Sequence, residues 1–513
     1  MSAHDGLDPA QSGVGDMDIE AFRRHGHMVV DWIADYLGSI DDRPVLSPLA
    51  PGEVRNALPT APPDDPEPFP RIMADLDRVI LPGITHWNHP SFHAYFAITG
   101  AGPGILGEAL TAALNVNGML WRTSPSATEV EQLVVDWLRQ LLGMGPSWSG
   151  LLTDGASTST LLALAAARER TDLDVRQRGL AGRPDLPALR VYTSEQAHSS
   201  VEKAAIALGL GRDGVRTIAV DDRYRLRPDA LAAAIEEDLR FGFRPVAIVT
   251  TIGTTATTSV DPLEAIADVR DAAVAELGHP IWLHVDGAYG AALAICEEHR
   301  SLLDGIERAD SLVINPHKWL FTPIDCSVLL LRDTQALSTA FALVPDYLAT
   351  DDGEVTDLMD LGVQLGRRFR ALKLWMTLRY FGADGLRRRL REHVRQAAKV
   401  AAWIEHHPAL ELVLRPEMST VVFRLRRDDD AAAAPEDLAA APEDLAAVAQ
   451  AMDDRSRRLL RWLDDDGRIL LSGTVLDGRH VLRLALGNLR TTDDHLERAF
   501  AAIEDALTAV PSG

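Results

Sequence analysis

Between residues 100 and 375 the sequence alternates short, almost continuously apolar runs with alanine- and leucine-rich stretches of helical length. Apolar runs of this kind predict strands buried on both faces, and intervening helices predict parallel connections. Some of the strands are separated by helices at 157–170 and 261–278. The pattern predicts an α/β fold with a mostly parallel sheet, whose last strand pairs antiparallel after a short loop. The predicted strands are 189–194, 245–252, 280–286, 311–315 and 326–332.

The length of the chain implies more than one folded unit. At 513 residues it exceeds what one hydrophobic core usually supports, so two or three lobes are expected. The N-terminal part begins with helical periodicity over residues 17–40. A proline-rich stretch at 43–70 then predicts an extended arm, and a second helix is expected at about 70–80.

The C-terminal part has the pattern of a smaller α+β lobe. Helices are predicted at 386–407 and 492–509, and strands at 420–427 and 480–487. We therefore divide the chain into four parts. They are a disordered N-terminus (1–16), an N-terminal helical segment (17–99), a large domain (100–376) and a small C-terminal domain (377–513).

Charge and composition narrow the class of protein. A net charge of −24 and a sequence pI of about 5.0 disfavour nucleic-acid binding, because an acidic surface repels phosphate backbones. Cys296 and Cys326 lack metal-ligand spacing, so reduced structural thiols are expected and no metal site is predicted. The first residues do not resemble a signal peptide, and no apolar run approaches the roughly 18 residues of a membrane span. A cytoplasmic enzyme is therefore expected, without nucleic-acid or membrane partners.

Two predicted strands end on residues suited to chemistry. Lys318 lies in NPHKWLF, directly after the strand at 311–315, where parallel α/β folds bind ligands. Its apolar neighbours favour the neutral amine, which is the nucleophile for a carbonyl group. Asp286 ends the strand at 280–286 and would be costly to bury without a cationic partner. Taken alone, Lys318 also fits a solvated surface lysine, and Asp286 fits a helix cap or a salt bridge to arginine.

Two further strand ends complete the set. Residues 154–158, DGAST, open a predicted helix with backbone N–H groups and hydroxyls that suit a phosphate, although an ordinary helix N-cap has the same appearance. His198 follows the strand at 189–194 and has a flat face for stacking, although a lone histidine usually serves packing. An anion cradle, a stacking face, a carboxylate and a lysine together match the phosphate, ring, ring nitrogen and aldehyde of pyridoxal phosphate.

With these motifs the sequence resembles the group II pyridoxal-phosphate decarboxylases, and among them the aromatic-L-amino-acid decarboxylases. The resemblance runs from about Met17 to Thr508. It implies the type I, aspartate aminotransferase-like fold, with a mostly parallel seven-stranded sheet in the large domain. It also implies a homodimer with the active site at the subunit interface and the N-terminal helical segment packing on the partner. The stretches that carry the resemblance include FRRHGHMVVDWIADYL, ILPGITHWNHPSFHAYF, SEQAHSSVEKA, TIGTTATTSVDPL, WLHVDGAYG, NPHKWL and LGRRFRALKLW.

The resemblance implies roles for the residues at matching positions. Lys318 would bind the aldehyde of pyridoxal phosphate, with His317 beside it. Asp286 would pair with the ring nitrogen, while Ala288 and His198 would contact opposite faces of the ring. The remaining cofactor contacts would come from Ala156, Ser157, Thr255 and Asn315.

Tyr347, in FALVPDYL, matches the mobile-loop tyrosine of the family. The resemblance implies that this residue protonates the carbon left by decarboxylation, across the dimer interface. A phenylalanine at 347 would indicate an aldehyde synthase, so the tyrosine favours an amine-forming decarboxylase.

The chain departs from the family pattern near the substrate and the phosphate. The family usually has Pro-Thr where this chain has Ala97-Ile98, and Thr99 stands next to the lost threonine. Asn117 either reads a polar group of the substrate or caps a turn. The cradle carries Asp154, which is expected to face the backbone. The residues expected to contact the substrate are Trp87, Tyr95, Phe96, Ile98, Asn117 and Met119.

The expected activity is decarboxylation of an L-amino acid to the amine and CO₂. Retained aromatic residues favour tryptophan, tyrosine, phenylalanine or hydroxylated forms as substrates. The alternatives are a glutamate, sulfinate or diaminobutyrate decarboxylase, an aldehyde synthase or aminotransferase, and a non-catalytic interaction module. Near 97–99 and 117–119 the only basic residue is Arg122, which disfavours anionic side chains. No cofactor group is lost, which disfavours the module.

Overall fold

The computed structural model of the chain describes residues 7–343, 355–426 and 442–511. The chain forms two compact units. The first comprises Met1–Ala94, Ala434–His480 and Arg490–Gly513, and the second, called the large unit below, comprises Tyr95–Ala433 and Val481–Leu489. The domain boundaries inferred from the sequence stay a prediction.

The described residues contain α-helices and β-strands in an order that places most strands in the large unit. The helices are α1 (Ile19–Gly38), α2 (Glu53–Ala57), α3 (Phe69–Asp75), α4 (Gly102–Leu114), α5 (Pro125–Leu141), α6 (Ala156–Glu169), α7 (Val175–Arg178), α8 (Ser200–Ala207), α9 (Pro228–Arg240), α10 (Leu263–Leu277), α11 (Pro316–Trp319), α12 (Gln335–Phe341), α13 (Ala371–His406), α14 (Pro442–Asp466) and α15 (Asp493–Ala509). The strands are β1 (Ser149–Thr153), β2 (Leu189–Ser194), β3 (Val215–Ile218), β4 (Arg244–Thr251), β5 (Trp282–Asp286), β6 (Ser311–Ile314), β7 (Ser327–Leu331), β8 (Leu410–Leu414), β9 (Thr420–Leu425), β10 (Ser472–Leu476) and β11 (Arg479–Ala485).

The large unit is built on a seven-stranded sheet in the order β1-β7-β6-β5-β4-β2-β3. Six of the seven strands, β1, β2, β3, β4, β5 and β6, run in the same direction, and only β7, between β6 and β1 in this sheet, runs the opposite way. The prediction of a mostly parallel sheet with an antiparallel last strand is confirmed. As a result, the carboxyl ends of β2, β4, β5 and β6 share one edge of the sheet.

The central strands are buried on both faces, which explains their continuous apolar sequences. In β5, Leu283 and Val285 belong to one hydrophobic cluster and Trp282 belongs to another. In β7 the same alternation assigns Val328 to the first cluster and Leu329 to the second. Because successive strand side chains point to opposite faces, both layers of helices receive apolar partners from one strand.

A smaller antiparallel arrangement follows in the large unit. Strand β9 pairs with β8 and with β11, whose residues from 481 onward belong to this unit. The strands predicted at 420–427 and 480–487 are thus confirmed. Helix α13 begins at Ala371, earlier than predicted, and Gly382 interrupts it with a φ of 63°. This conformation suits glycine, and the Gly-Ala-Asp-Gly sequence there concealed the continuity of the helix.

The N-terminal segment differs from the sequence prediction in one place. The proline-rich stretch 43–70 was expected to be extended throughout, but it contains α2, and α3 begins within it at Phe69. Proline is favourable in the first turn of a helix, so Pro70 at the start of α3 does not oppose helix formation. None of the helices in the described part of the chain combines the length and apolar character that a membrane crossing needs.

The first unit ties its earliest described residues to α1. Asp18 caps α1 by accepting the N–H of Ala21 at 2.8 Å. Asp8 is buried, and its carboxylate contacts His25 at 2.8 Å and Arg24 at 2.7 Å. Asp8 belongs to the stretch 1–16 that the sequence predicts to be disordered, and residues 1–6 lie outside the described residues.

A buried ion pair joins β1 to its surroundings in the large unit. The side chains of Glu131 and Arg367 are 4% and 6% exposed and contact each other. Glu131 also accepts the N–H of Leu152 at 2.8 Å, and Arg367 donates to the Leu152 carbonyl at 3.0 Å. Each charge compensates the other. Removing one of them would leave the other buried and unpaired, which is strongly unfavourable.

We expect Glu131→Ala to lower the free energy of unfolding by about 3–5 kcal/mol, because it leaves the Arg367 guanidinium buried without its carboxylate. The measurement is the midpoint of urea unfolding at neutral pH. Glu298→Ala is the matched control, because Glu298 pairs with Arg391 on the surface, where both side chains are 47% exposed. Equal midpoint shifts in the two variants would contradict the importance of the buried pair.

Candidate active site

A cavity of about 290 Å³ lies at the shared edge of the parallel strands in the large unit. This is the position at which open α/β sheets bind ligands. Its wall also contains Phe96, Thr251, Tyr289, His317 and Ile324. Every predicted cofactor-binding residue lines this cavity: Ala156, Ser157, His198, Thr255, Asp286, Ala288, Asn315 and Lys318.

Lys318 is positioned by a single helical turn that follows β6. Pro316 opens this turn, and the Lys318 N–H donates to the carbonyl of Asn315 at 2.9 Å. The amine Nζ lies 4.9 Å from the centroid of the Phe96 ring. Desolvation lowers the pKa of Lys318, and the charge of Asp286 partly opposes this shift. At a given pH, a larger fraction of this amine is therefore neutral and nucleophilic than in a solvated lysine.

Asp286 is the last residue of β5 and is 7% exposed. Its Oδ1 accepts the N–H of Ala288 at 3.1 Å. The strand register places Asp286 between Thr251 of β4 and Val313 of β6. Strand β5 pairs with β4 on one side and with β6 on the other. The backbone of Asp286 is therefore fixed by both neighbours, and its carboxylate starts from a defined point of the cavity wall.

Two histidines of the wall are held as neutral rings. His317 Nδ1 accepts the N–H of Cys326 at 2.9 Å, and His198 Nδ1 accepts the N–H of Ser200 at 3.1 Å. Burial lowers the pKa of His317 to about 4 and also lowers that of His198, where Asp286 opposes the shift. Each neutral ring therefore carries its proton on Nε2, the nitrogen that the backbone contact leaves available.

The N-terminus of α6 forms an anion cradle in the same wall. Gly155 caps this 14-residue helix, and Ala156 and Ser157 are its first residues. Their N–H groups precede the first intrahelical bond, which runs from Ser159 to the Gly155 carbonyl at 3.1 Å. Unpaired N–H groups and the helix dipole suit a phosphate.

Two buried oxygens of the wall have no hydrogen-bond partner among the described residues, Oδ1 of Asn315 and Oδ1 of Asp154. The Asn315 oxygen lies beside Lys318 in a wall that already offers an anion cradle and a carboxylate. Asp154 is among the residues that line the cavity, and the expectation that its carboxylate faces the backbone stays a prediction.

The sequence interpretation missed several residues of the wall. Tyr289 stacks on Phe96 with ring centroids 4.0 Å apart, and burial raises its pKa to about 12. Its position three residues after Asp286, in DGAYG, was the available signal. Ile324 lines the cavity although its side chain is 66% exposed. Gly253 has a φ of +87° and lies so close to Gly290 that a side chain would be strained there.

The predicted substrate contacts are not all brought together. Among them only Phe96 lines the cavity. Tyr95 is 59% exposed, Ile98 is half-buried, and Trp87 belongs to the first unit, where its ring packs on Phe92 at 4.4 Å. Thr99 does not take the place of the lost threonine, because its hydroxyl donates to the Gly487 carbonyl at 3.4 Å.

Asn117, through its side chain, and Met119, through its carbonyl, accept hydrogen bonds from backbone N–H groups of the same chain. Asn117 Oδ1 accepts the N–H of Arg367 at 2.9 Å, a contact between segments 250 residues apart, so neither sequence alternative for Asn117 is tested by it. The Met119 carbonyl accepts the N–H of Met359 at 3.1 Å. Neither residue lines the cavity of its own chain, and their contact with a partner's substrate stays a prediction. Tyr347 lies outside the described residues.

One basic residue near the site was not foreseen. Arg483 of β11 is 4% exposed, and its guanidinium lies 5.6 Å from the centroid of the Phe96 ring. It donates to the carbonyls of Ala256 at 2.9 Å and Tyr95 at 3.3 Å. Desolvation lowers its pKa to about 10, so it is cationic at neutral pH. The expectation that only Arg122 lies near the substrate stretches is therefore wrong, because folding brings a residue nearly 400 positions away beside Tyr95.

The fold and the cavity define a class of enzyme. A lysine with a lowered pKa, a carboxylate, a histidine face and a helix N-terminus surround one ring-sized space, and together they fit pyridoxal phosphate. The unpaired Asn315 oxygen and the open cradle are further groups that this cofactor can engage.

The comparisons identify the family. The model "Pyridoxal-dependent decarboxylase conserved domain" matches residues 51–426. Tyrosine decarboxylase 3 of Petroselinum crispum is 36% identical over 515 residues, covering 98% of this chain and 95% of that protein. Phenylacetaldehyde synthase of Arabidopsis thaliana is 36% identical over 500 residues, covering 95% of this chain and 96% of that protein. A crystal structure of Oryza sativa TDC with PLP and tryptamine superposes with a TM-score of 0.88 at 36% identity, covering 97% and 99% of the two chains.

This chain belongs to the pyridoxal-dependent decarboxylase family. Its seven-stranded sheet is that of the type I fold, as the resemblance implied. It is a pyridoxal-phosphate-dependent amino acid decarboxylase, and the cofactor inferred from four strand ends is confirmed.

Desolvation and the charge of Asp286 shift the pKa of Lys318 in opposite directions, which leads to a prediction about its reactivity as a function of pH. In cofactor-free protein, we expect a small neutral aldehyde such as butanal to modify Lys318 with a pH midpoint below the ordinary lysine value of about 10.4. Asp286→Asn should move this midpoint lower still, because the Asp286 charge favours the protonated amine. The product is trapped with borohydride and quantified by mass spectrometry, with Lys318→Ala as the blank. An unchanged or higher midpoint in Asp286→Asn would contradict the coupling.

Proposed function

We propose that this enzyme decarboxylates an aromatic L-amino acid and releases the corresponding amine and CO₂. The observation that carries the proposal is the convergence of Lys318, Asp286 and His198 on one cavity whose wall includes the stacked rings of Phe96 and Tyr289. A flat apolar wall beside the reactive amine suits an aromatic side chain. The tyrosine decarboxylase and the tryptamine-bound structure among the similar proteins support the same substrate class.

The roles of the residues follow from their chemistry. Bound pyridoxal phosphate supplies an aldehyde for the substrate amine and a ring that accepts the electrons released with CO₂. Lys318 would hold the aldehyde, with His317 beside it. Asp286 would keep the proton on the ring nitrogen. The remaining contacts are proposed for His198 and Ala288 on the ring faces and for Ala156, Ser157, Thr255 and Asn315 around the phosphate and the cofactor edge.

The protein also controls orientation and charge around the substrate. Phe96 and Tyr289 give the cavity an apolar wall, which would limit water near a bound substrate and favour departure of a carboxylate as neutral CO₂. Arg483 adds a buried positive charge beside Phe96, which attracts carboxylates. Contacts of the substrate side chain with Trp87, Tyr95, Ile98, Asn117 and Met119 are retained as proposals, the last two across a subunit interface.

The amine is proposed as the product because of Tyr347. A phenolic proton delivered to the carbon that has lost CO₂ gives the amine directly. The phenylacetaldehyde synthase among the relatives makes an aldehyde synthase the second candidate. The two candidates share the cavity and differ in the fate of this one carbon.

We further propose a cytoplasmic homodimer with the active site at the subunit interface and residues 17–99 packing on the partner. Two apolar helix faces support association. Helix α1 exposes Ile19 and Phe22 by 69% and 63%. Helix α4 exposes leucines at 106, 110 and 114, each about half exposed and spaced four residues apart on one face. Light scattering of the purified protein tests the dimer. The domain division into 100–376 and 377–513 stays part of this proposal.

The function is tested by incubating the holoenzyme with each common amino acid and with hydroxylated aromatic acids, while CO₂ and amine are quantified. We expect turnover with one or more aromatic acids. Lys318→Ala should abolish it, because the amine that holds the cofactor is lost. Turnover confined to glutamate, a sulfinate or diaminobutyrate would overturn the aromatic assignment. Absence of CO₂ from every acid would overturn the decarboxylase.

In air-saturated buffer, we expect Tyr347→Phe to lower the rate of amine formation about 100-fold and to raise the share of aldehyde and hydrogen peroxide. With the general acid removed, dissolved O₂ would act as the two-electron oxidant in place of protonation, and water would release the aldehyde and ammonia. The measurement is the ratio of amine to aldehyde by mass spectrometry, with peroxide assayed in parallel. Tyr380→Phe is the control, because Tyr380 is 73% exposed and does not line the cavity. An unaltered amine yield in Tyr347→Phe would remove the residue from the proton-donating role.

A further inference from the structure

Lys318 stands between two residues whose rings are anchored. On one side, His317 accepts the Cys326 N–H at 2.9 Å. On the other side, the indole Nε1 of Trp319 donates to Nδ1 of His393 at 3.0 Å. The helical turn that carries Lys318 has only four residues, and a turn this short has too few internal hydrogen bonds to hold itself. Backbone bonds also hold the turn, such as that from the His317 N–H to the Cys326 carbonyl at 3.2 Å, and the two ring contacts add side-chain anchors on either side of the lysine.

The His393 ring is itself fixed in one orientation and one tautomer. It lies on α13, is 3% exposed, and its Nε2 contacts the Asn488 carbonyl at 3.1 Å. Burial lowers its pKa to about 4, so the ring is neutral and carries one proton. A carbonyl only accepts, so this proton lies on Nε2, and Nδ1 is left to accept the indole N–H of Trp319.

The position of the Trp319 indole also affects the surroundings of Lys318 through a series of stacked rings. Trp319 is fully buried and lies parallel to Tyr289, with centroids 4.8 Å apart and an interplanar angle of 6°. Tyr289 stacks in turn on Phe96, which faces Lys318 Nζ at 4.9 Å. A shift of the indole would therefore move both the backbone that carries Lys318 and the aromatic surface that its amine approaches.

We propose that His393 is a positioning residue for Lys318, which sets the approach of the lysine amine to the cofactor aldehyde by holding the Trp319 indole. His393 does not line the cavity, so it acts through Trp319 and touches neither cofactor nor substrate. The inference rests on the proposed role of Lys318 in binding the cofactor. Loss of the acceptor leaves a buried indole N–H unpaired, which favours displacement of the ring.

The test compares how cofactor-free full-length variants take up pyridoxal phosphate. We expect His393→Leu to lower the rate constant of uptake about tenfold or more and to shift the pH midpoint of the bound cofactor's visible absorbance. His393→Gln should stay within about threefold of the wild type, because a carboxamide both accepts from the indole and donates to Asn488. His406→Leu is the matched control on the same helix, because His406 is exposed and contacts the Ala402 carbonyl of its own helix at 2.7 Å.

The absorbance midpoint separates positioning from simple destabilisation, because it is read only from folded, cofactor-loaded molecules. A wild-type uptake rate and midpoint in folded His393→Leu would overturn the inference, even if its unfolding temperature fell. If His393→Leu does not fold, Trp319→Phe is used to test the inference. This substitution keeps an aromatic ring at position 319 and removes the indole N–H that donates to His393. We expect the same loss of uptake rate in Trp319→Phe, and wild-type uptake there would overturn the inference. Failure of the wild type itself to bind the cofactor at Lys318 would instead overturn the proposed function.

Discussion

The structure depends on one constraint, which is that parallel strands bring their carboxyl ends to the same edge of a sheet. Asp286 ends β5 and Lys318 follows β6, the neighbouring strand, so a carboxylate and an amine from positions 32 residues apart face one cavity. Around them, desolvation disfavours the charged lysine while the carboxylate favours it. Desolvation and the carboxylate thus shift the pKa of this amine in opposite directions, and the residues proposed to bind the cofactor come from different strand ends.

Three side chains of the cavity wall are oriented by hydrogen bonds to backbone, because His198, His317 and Asp286 each accept a backbone N–H. Such contacts restrict the rotamers of these side chains. The buried ion pair of Glu131 and Arg367 is not among the residues that line the cavity, and it bonds to the backbone of Leu152 in β1.

Much of this site could be predicted from the chain. The strands that were predicted lie within one or two residues of those in the structure, because burial on both faces leaves continuous apolar runs. Strands β1, β3, β8 and β10 were not predicted, because they are short and only partly buried. Tyr289, Ile324 and Arg483 were missed because nothing local distinguishes them. Arg483 in particular lies in an ordinary strand sequence until the fold packs it against Phe96.

The sequence was sufficient to predict the most apolar strands of the large unit and the cofactor class, because these follow from periodicity and from residue types at strand ends. The role of Lys318 in holding the cofactor stays a prediction. Only the tertiary structure decided which side chains share the cavity, which histidine nitrogen carries the proton, and that Asn117 and Thr99 serve the backbone. Those outcomes depend on distances between segments far apart in the chain. Hydrogen bonds and desolvation act over a few ångströms of space, and a linear sequence does not record that separation.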